Sequence, residues 1–328
     1  MIWKRYFLRE FAKVFFLVIF VAYFLFVLID YSAHTKTFHQ PGVTLIDTLF
    51  YYFFQFTQQI ETLICVALLL ATIKVLTTLN ARKEIVALAA GGISLKKLTT
   101  PFFYVALVAM ALIYANFQWF EPIALAKLEV FEARYFKEGT VNEAHASRLK
   151  DDSLVLYHHY NLEDKKLHDL FWIKDMDHIY HMNTFDPLLC LGQKVELLER
   201  SEGIHPTESY ETLFFPDMKF DPNSFLPKSL TQLMQHSKWD AKLLYKLTIP
   251  FAALFAVLVP TPFCLRFSRQ TPIYLIYVLS LFGLIAYFTL VNAALILGQS
   301  HVIAPLWAML TPPSIIALVI AFQCKKIC

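Results

Sequence analysis

The sequence predicts a polytopic α-helical membrane protein with six transmembrane helices and an inserted all-β domain, and three observations predict it. Hydrophobic residues make up 57% of the chain, with 31 Phe against only 8 Gly, and the mean hydropathy is positive. A chain this apolar cannot stay soluble along its whole length. Runs able to cross a bilayer fall in two groups, at residues 14–29, 48–79 and 101–120 and again at 247–265, 273–297 and 302–322. Between them, from Glu121 to about Trp239, charged residues are dense and no apolar run approaches that length. The chain therefore divides into residues 1–122 with three helices, 123–238 as a soluble domain, and 239–328 with three more helices.

Taken in order, the first thirteen residues carry Lys4, Arg5, Arg9 and Lys13 ahead of the first apolar run. A secretory signal has the same layout, but this run is longer than a typical h-region and rich in Phe, and no small-x-small site precedes Tyr31. It reads as the first span. Residues 30–47 form a short polar loop with Pro41-Gly42 as a turn and Lys36 as its only lysine or arginine. The second apolar stretch carries Gln55, Gln58, Gln59 and Glu61 in its first half. Glu61 is the one acid inside an expected span. An acid within a span is a functional-site candidate; clustered with so many amides, this one reads first as an interfacial group hydrogen-bonded to Gln58 or to a neighbouring helix. The third span closes with Trp119 as an interfacial anchor, followed by Glu121 and Pro122.

In the soluble stretch, Leu125, Leu128 and Phe131 recur at helical spacing over residues 124–137. Strand signals follow at 154–157, 170–173, 178–182, 194–198 and 211–215, the last continued at 218–220, with turn residues between them. Short strands at such intervals argue an all-β sandwich or roll. Leu154, Leu156, Phe171, Ile173, Leu197, Phe214 and Phe220 are its candidate core or groove residues. Residues 227–246 read as a helix returning to the membrane. Placing the N-terminus, residues 80–97, Arg266 with Arg269, and Lys325 with Lys326 in the cytoplasm gathers nearly all short-loop basic residues on one side. The central domain then faces outward.

The composition and motifs also exclude functions. A net charge of +3 gives no argument for nucleic acid, and the five cysteines show neither a disulfide framework nor metal-ligand spacing. His158-His159 and the His178/His181 pair lack an HExxH or CxxC companion, and i and i+3 on a strand point to opposite faces. No G-x-S-x-G elbow occurs. No G-x-x-x-x-G-K-[ST] occurs either, so any ATP is hydrolysed by a partner. No cofactor, metal or catalytic residue is expected.

The stretch that carries most information is residues 80–101, NARKEIVALAAGGISLKKLTTP. Ile85, Leu88, Ala89, Gly92 and Leu95 recur at helical spacing, flanked by Arg82, Lys83, Glu84, Lys96 and Lys97. Gly91-Gly92 reads as a helix stop and Ser94 as the cap of the next helix. The run from Glu84 to Ser94, with Leu98 and Pro101, resembles the cytoplasmic coupling helix of the LptF/LptG (YjgP/YjgQ) permeases, whose pattern is roughly E-L-T-A-L-R-A-A-G-I-S. Here Ala89 stands where arginine is usual and Gly91 where alanine is. Arg5-Tyr6 with Glu10 and Asp30, residues 245–250 with Pro260 and Pro262, and residues 297–313 are similar to the family's opening, fourth span and last loop and span. In the last of these, Trp307 precedes Ala308 rather than following it.

The resemblance implies a β-jellyroll-like periplasmic domain between the third and fourth spans, and a bacterial inner-membrane protein with both termini cytoplasmic. It implies a subunit of the ABC transporter that extracts lipopolysaccharide or lipooligosaccharide. Implied partners are a related six-helix permease subunit, a cytoplasmic LptB-like ATPase dimer, a single-span LptC-like protein and a periplasmic LptA-like protein. Glu84, Ile85, Leu88, Gly92, Ile93 and Ser94 are then the ATPase-coupling residues, with the apolar face of Ile85, Leu88 and Ile93 inserting into the ATPase. The rivals are a permease or mechanotransmission subunit for another lipid or envelope substrate, and a membrane enzyme acting on lipid-linked sugars. The latter would need paired intramembrane acids or a metal site.

Overall fold

The computed structural model describes residues 2–39, 43–135, 145–148, 153–161, 166–174, 178–187, 189–200, 204–215, 229–236, 241–265, 273–300 and 303–327. The chain divides into two compact units, one of Met1–Thr35, Tyr52–Glu121 and Ser229–Cys328, the other of Lys36–Tyr51 and Pro122–Lys228.

The helices follow the apolar runs, with α1 (Ile2–Ala33), the short α2 (Thr35–Phe38), α3 (Leu45–Ala81), α4 (Glu84–Ala90) and α5 (Leu95–Ala115) in succession. Helix α3 begins three residues before the expected span. Thr44 and Asp47 form a capping box there, the Asp47 carboxylate accepting from the Thr44 amide and hydroxyl while the Asp47 amide donates to the Thr44 hydroxyl. The expected end of the third span is not an end. A π-helical turn (Asn116–Phe120) carries α5 directly into α6 (Glu121–Tyr135). Pro122 offers no amide to Gln118 and its ring would press on that carbonyl; widening the preceding turn relieves the clash. The Glu121 amide reaches back to the Asn116 carbonyl.

The second half of the helical unit holds α7 (Leu230–His236), α8 (Ala241–Thr248), α9 (Phe251–Leu258), α10 (Thr261–Leu265), α11 (Ile273–Gln299) and α12 (Pro305–Ile327). One continuous helix was expected at 247–265. Pro250 and Pro260 divide it, since neither can donate along the helix. The carbonyls released at the first break are used: Tyr114 Oη donates to the Leu247 carbonyl at 2.7 Å and Tyr287 Oη to the Thr248 carbonyl at 2.8 Å. In hydrocarbon such replacement is what makes a broken helix tolerable.

Among the described residues, five helical stretches are long and apolar enough to cross a membrane: Trp3–Ala33, Leu45–Ala81, Lys97–Leu128, Ala241–Leu265 and Ile273–Gln299. The sixth expected span falls on α12, a 23-residue helix with Pro312 and Pro313 inside it, which is not one of those five. Helix α3 is the centre of the bundle. Cys65, Leu68, Leu69, Thr72, Ile73 and Leu76 are all buried along it. Helices α5 and α9 pack together, and both bury small residues, Ala106 and Ala109 on the first and Ala252, Ala253 and Ala256 on the second. Small residues let helix backbones approach where no hydrophobic drive separates helix from lipid.

The second unit contains a six-stranded antiparallel sheet, β1 (His145–Arg148), β2 (Leu154–Asn161), β3 (Lys166–Ile173), β4 (His178–Asp186), β5 (Leu191–Arg200) and β6 (Ile204–Phe214), paired in sequence order. The described strands thus form a meander, each pairing with the next in sequence. Strand β1 carried no recognised signal, and 218–220, expected to extend the last strand, lies outside the described residues. Val155, Leu170, Trp172, Met182 and Val195 fill one face as a buried cluster, joined by Leu167, Phe185 and Phe215. Leu167 and Leu170 both reach it although three residues apart, because Asp169 between them takes a positive φ of 54°. Lys194 of β5, one residue before the buried Val195, has φ 51°.

Candidate functional site

Three places carry the chemistry expected of the chain. The first is the elbow after α3. Asn80 Nδ2 donates to the Cys264 carbonyl and fixes the end of α3 to α10. Lys83 then turns the chain with φ 59°, a left-handed conformation that costs a non-glycine residue about 1–2 kcal/mol, and α4 starts at Glu84. Its end is a Schellman motif. The Ile93 amide donates to the Leu88 carbonyl and the Gly92 amide to the Ala89 carbonyl, with Gly92 at φ 81°. Ser94 precedes α5 in the extended conformation suited to a cap, but its side chain makes no capping bond; its carbonyl accepts from the Lys97 amide.

The elbow sorts the six expected coupling residues in a way the sequence did not foresee. Ile85 is only 1% exposed, and Leu88 and Ile93 are partly buried against the same core of the bundle. The stripe expected to insert into a partner therefore holds α4 onto its own chain. The exposed side of the elbow is formed by Val86, Ala87, Ala90, Gly91, Gly92 and Ser94, with Glu84 half-buried at its edge, 3.9 Å from Arg82. Helical periodicity finds an apolar stripe but cannot say which body covers it. Val86, isolated on the other side, carried no periodic signal.

The second place lies inside the helical unit. Lys246 of α8 pairs with Glu121 at 2.7 Å, both largely buried, and its ammonium stands 5.5 Å from the centre of the Phe117 ring. Glu61 of α3 is partly buried and lies in electrostatic range of both partners. The expectation that Glu61 is the one acid within a span needs correcting, because Glu121 belongs to the continuous apolar stretch Lys97–Leu128. Around them the π-helical turn is pinned at its start and its middle: Asn116 Nδ2 donates to the Thr57 carbonyl at 2.9 Å, and the Gln118 side chain bonds Thr231 of α7. Pro122 was the available signal for this turn, read as a stop when it marks a widening.

The third place is the sheet. Directly paired residues share a face, and the register sets Leu156, Phe171 and His181 in one row and Ile173, Ile179 and Leu198 in the next, on the face opposite Trp172. All six are partly buried. Leu197 pairs with Tyr180 and so belongs to the Trp172 face. Phe214 is exposed at the far end of β6, 60% accessible. Leu154 pairs with Ile173 along the backbone, and Phe220 lies outside the described residues. The structure thus gathers Leu156, Phe171 and Ile173 and separates them from Leu197 and Phe214. Strand alternation missed Ile179 and Leu198, which complete the patch. His181 stacks on Phe171 at 4.3 Å and contacts Asp169 at 2.6 Å and Glu196 at 3.7 Å.

A search of curated proteins gives no match. The profile of one family, described as the lipopolysaccharide export system permease LptF/LptG, matches residues 5–186 and 198–326, covering helices, elbow and sheet alike. With this match over nearly its whole length, the chain belongs to the LptF/LptG family of lipopolysaccharide export permeases.

Proposed function

We propose that the chain is one permease subunit of an ATP-driven exporter that lifts lipopolysaccharide, or lipooligosaccharide, out of the bacterial inner membrane. The family match carries this reading, and the elbow supports its mechanical part. In this reading α12 is the sixth span, both termini and the elbow are cytoplasmic, and the sheet is the periplasmic jellyroll-like domain. A related six-helix subunit encloses the lipid with this one, an LptB-like ATPase dimer docks on the elbow, and LptC-like and LptA-like proteins take the lipid onward. Exposing acyl chains to water costs about 0.8 kcal/mol per methylene, so a multi-acyl lipid faces a penalty on the order of tens of kcal/mol. The path must therefore stay apolar from bilayer to domain. Leu156, Phe171, Ile173, Ile179 and Leu198 offer such a surface on the sheet.

The chain carries no phosphate-binding loop, so motion must arrive through the elbow. Ile85, Leu88 and Ile93 bind α4 to the bundle; Val86, Ala87, Ala90 and the glycine turn face outward for the ATPase, with Glu84 at the margin. A helix held on one side and offered on the other transmits displacement in both directions. Co-purification of the ATPase with single variants tests this. Val86→Asp and Glu84→Ala are expected to lose the ATPase with the elbow intact by hydrogen exchange. Ile85→Ala is expected to loosen the elbow itself, by about 2–5 kcal/mol. Undiminished ATPase capture by all three variants would remove the coupling role.

A further inference from the structure

The helical unit holds an apolar cavity of about 150 Å³, walled by Leu69 of α3, Phe255 and Val259 at the α9 end, and Gly283, Leu284 and Tyr287 of α11. Leu69, Leu284 and Tyr287 are buried and form its inner wall. Gly283 is exposed and Val259 half-buried, so these two mark its mouth. Beside the mouth on α11 stand Leu279 and Phe282, both exposed apolar side chains within a candidate span.

Gly283 is the unexplained residue here. A Cβ at this position would meet no atom within 4 Å, so no close approach requires glycine. The backbone is ordinary helix and requires none either, and glycine is a poor helix former. A side chain here would stand in open space at the edge of the cavity. Apolar cavities of about this size stay dry and accept small apolar ligands such as benzene. Within a bilayer the matter that reaches such a mouth is lipid hydrocarbon.

We propose that this cavity is a slot for the terminal segment of a lipid acyl chain, entered from the hydrocarbon phase past Gly283. The slot needs no transport cycle to fill, so it stands apart from the export reading. The chain it takes belongs either to a bilayer phospholipid or to the exported lipid, since both end in the same methylenes.

The test uses the assembled complex in nanodiscs, without ATP, containing a phospholipid with a diazirine near the end of one acyl chain. After irradiation, adducts are expected on the inner wall, at Leu69, Leu284 or Tyr287, as well as on exposed Phe282. Gly283→Leu, which fills the mouth, should abolish the inner-wall adducts and leave those on Phe282. Gly283→Ala adds one methyl group to open space, and its partial loss guards against a misfolded leucine variant. Unlabelled lipopolysaccharide that displaces the inner-wall adducts assigns the slot to the exported lipid; adducts that persist assign it to the bilayer. No inner-wall adduct in the unsubstituted protein, adducts undiminished in both variants, or a protein crosslink in their place would overturn the proposal.

Discussion

Two neighbouring glycines in the elbow have different reasons to exist. Gly91 has φ −76°, and a Cβ there would lie 3.4 Å from the Leu88 carbonyl oxygen, an ordinary contact. An alanine at this position is compatible with the fold, which agrees with the family pattern that usually has one. Gly92 has open space around it but a φ of 81°, which any side chain would strain. Gly91→Ala should therefore leave the elbow unchanged. Gly92→Ala should weaken it by about 1 kcal/mol, speeding amide exchange over α4 roughly five-fold. Hydrogen exchange followed by mass spectrometry reads both. The sequence placed this turn correctly, because Gly-Gly after a helical run has few other meanings. It could not reveal Lys83 at φ 59°, since lysine carries no signal for a left-handed turn.

At the scale of elements, the membrane runs were legible because span length and apolarity are set by the bilayer. Their interruptions were not. In sequence Pro122 reads as a stop, yet the π-helical turn lets the helix pass it, and Pro250 divides α8 from α9 where the sequence reads as one span. Whether a proline ends, widens or breaks a helix depends on who takes the freed carbonyls, and those partners come from distant helices. The Lys246–Glu121 pair is of the same kind, joining residues 125 apart. Lys246→Met would leave Glu121 buried without its cation and Glu61 beside it, a loss of about 3–5 kcal/mol. Adding Glu121→Gln should restore much of the stability, as thermal unfolding of the purified protein would report. If Lys246→Met alone is neutral, the pair does not hold this part of the bundle. In the sheet, alternation found three members of the half-buried patch but could not separate the two faces, because Asp169 breaks the period. A photocrosslinker at Phe171 or Ile179 should capture lipopolysaccharide during export and one at Trp172 should not; capture from the Trp172 face would reverse the assignment.

For the whole molecule, the decisive arrangement is which side of the bilayer each polar segment occupies. Lys4, Arg5, Arg9, Lys13, Arg82, Lys83, Lys96 and Lys97 flank the first apolar runs, whereas the loop at 30–47 offers only Lys36. An excess of lysine and arginine on one set of loops keeps those loops in the cytoplasm. On the proposed orientation the elbow and the sheet lie on opposite sides of the membrane, with the apolar stretch Lys97–Leu128 between them in the chain. An odd number of crossings between them is what the coupling role requires, since nucleotide energy is available on one side and the lipid acceptor stands on the other. Single cysteines at Val86 and at Leu189, both exposed, give this a direct measurement in a protein where Cys324 and Cys328 are replaced by serine and Cys65, Cys190 and Cys264 are buried. A membrane-impermeant maleimide applied from outside to osmotically shocked cells should label Leu189→Cys and spare Val86→Cys until the inner membrane is opened. Labelling of both from the same side would place elbow and sheet in one compartment, and no movement of α4 could then carry work from a cytoplasmic ATPase to lipid leaving the membrane.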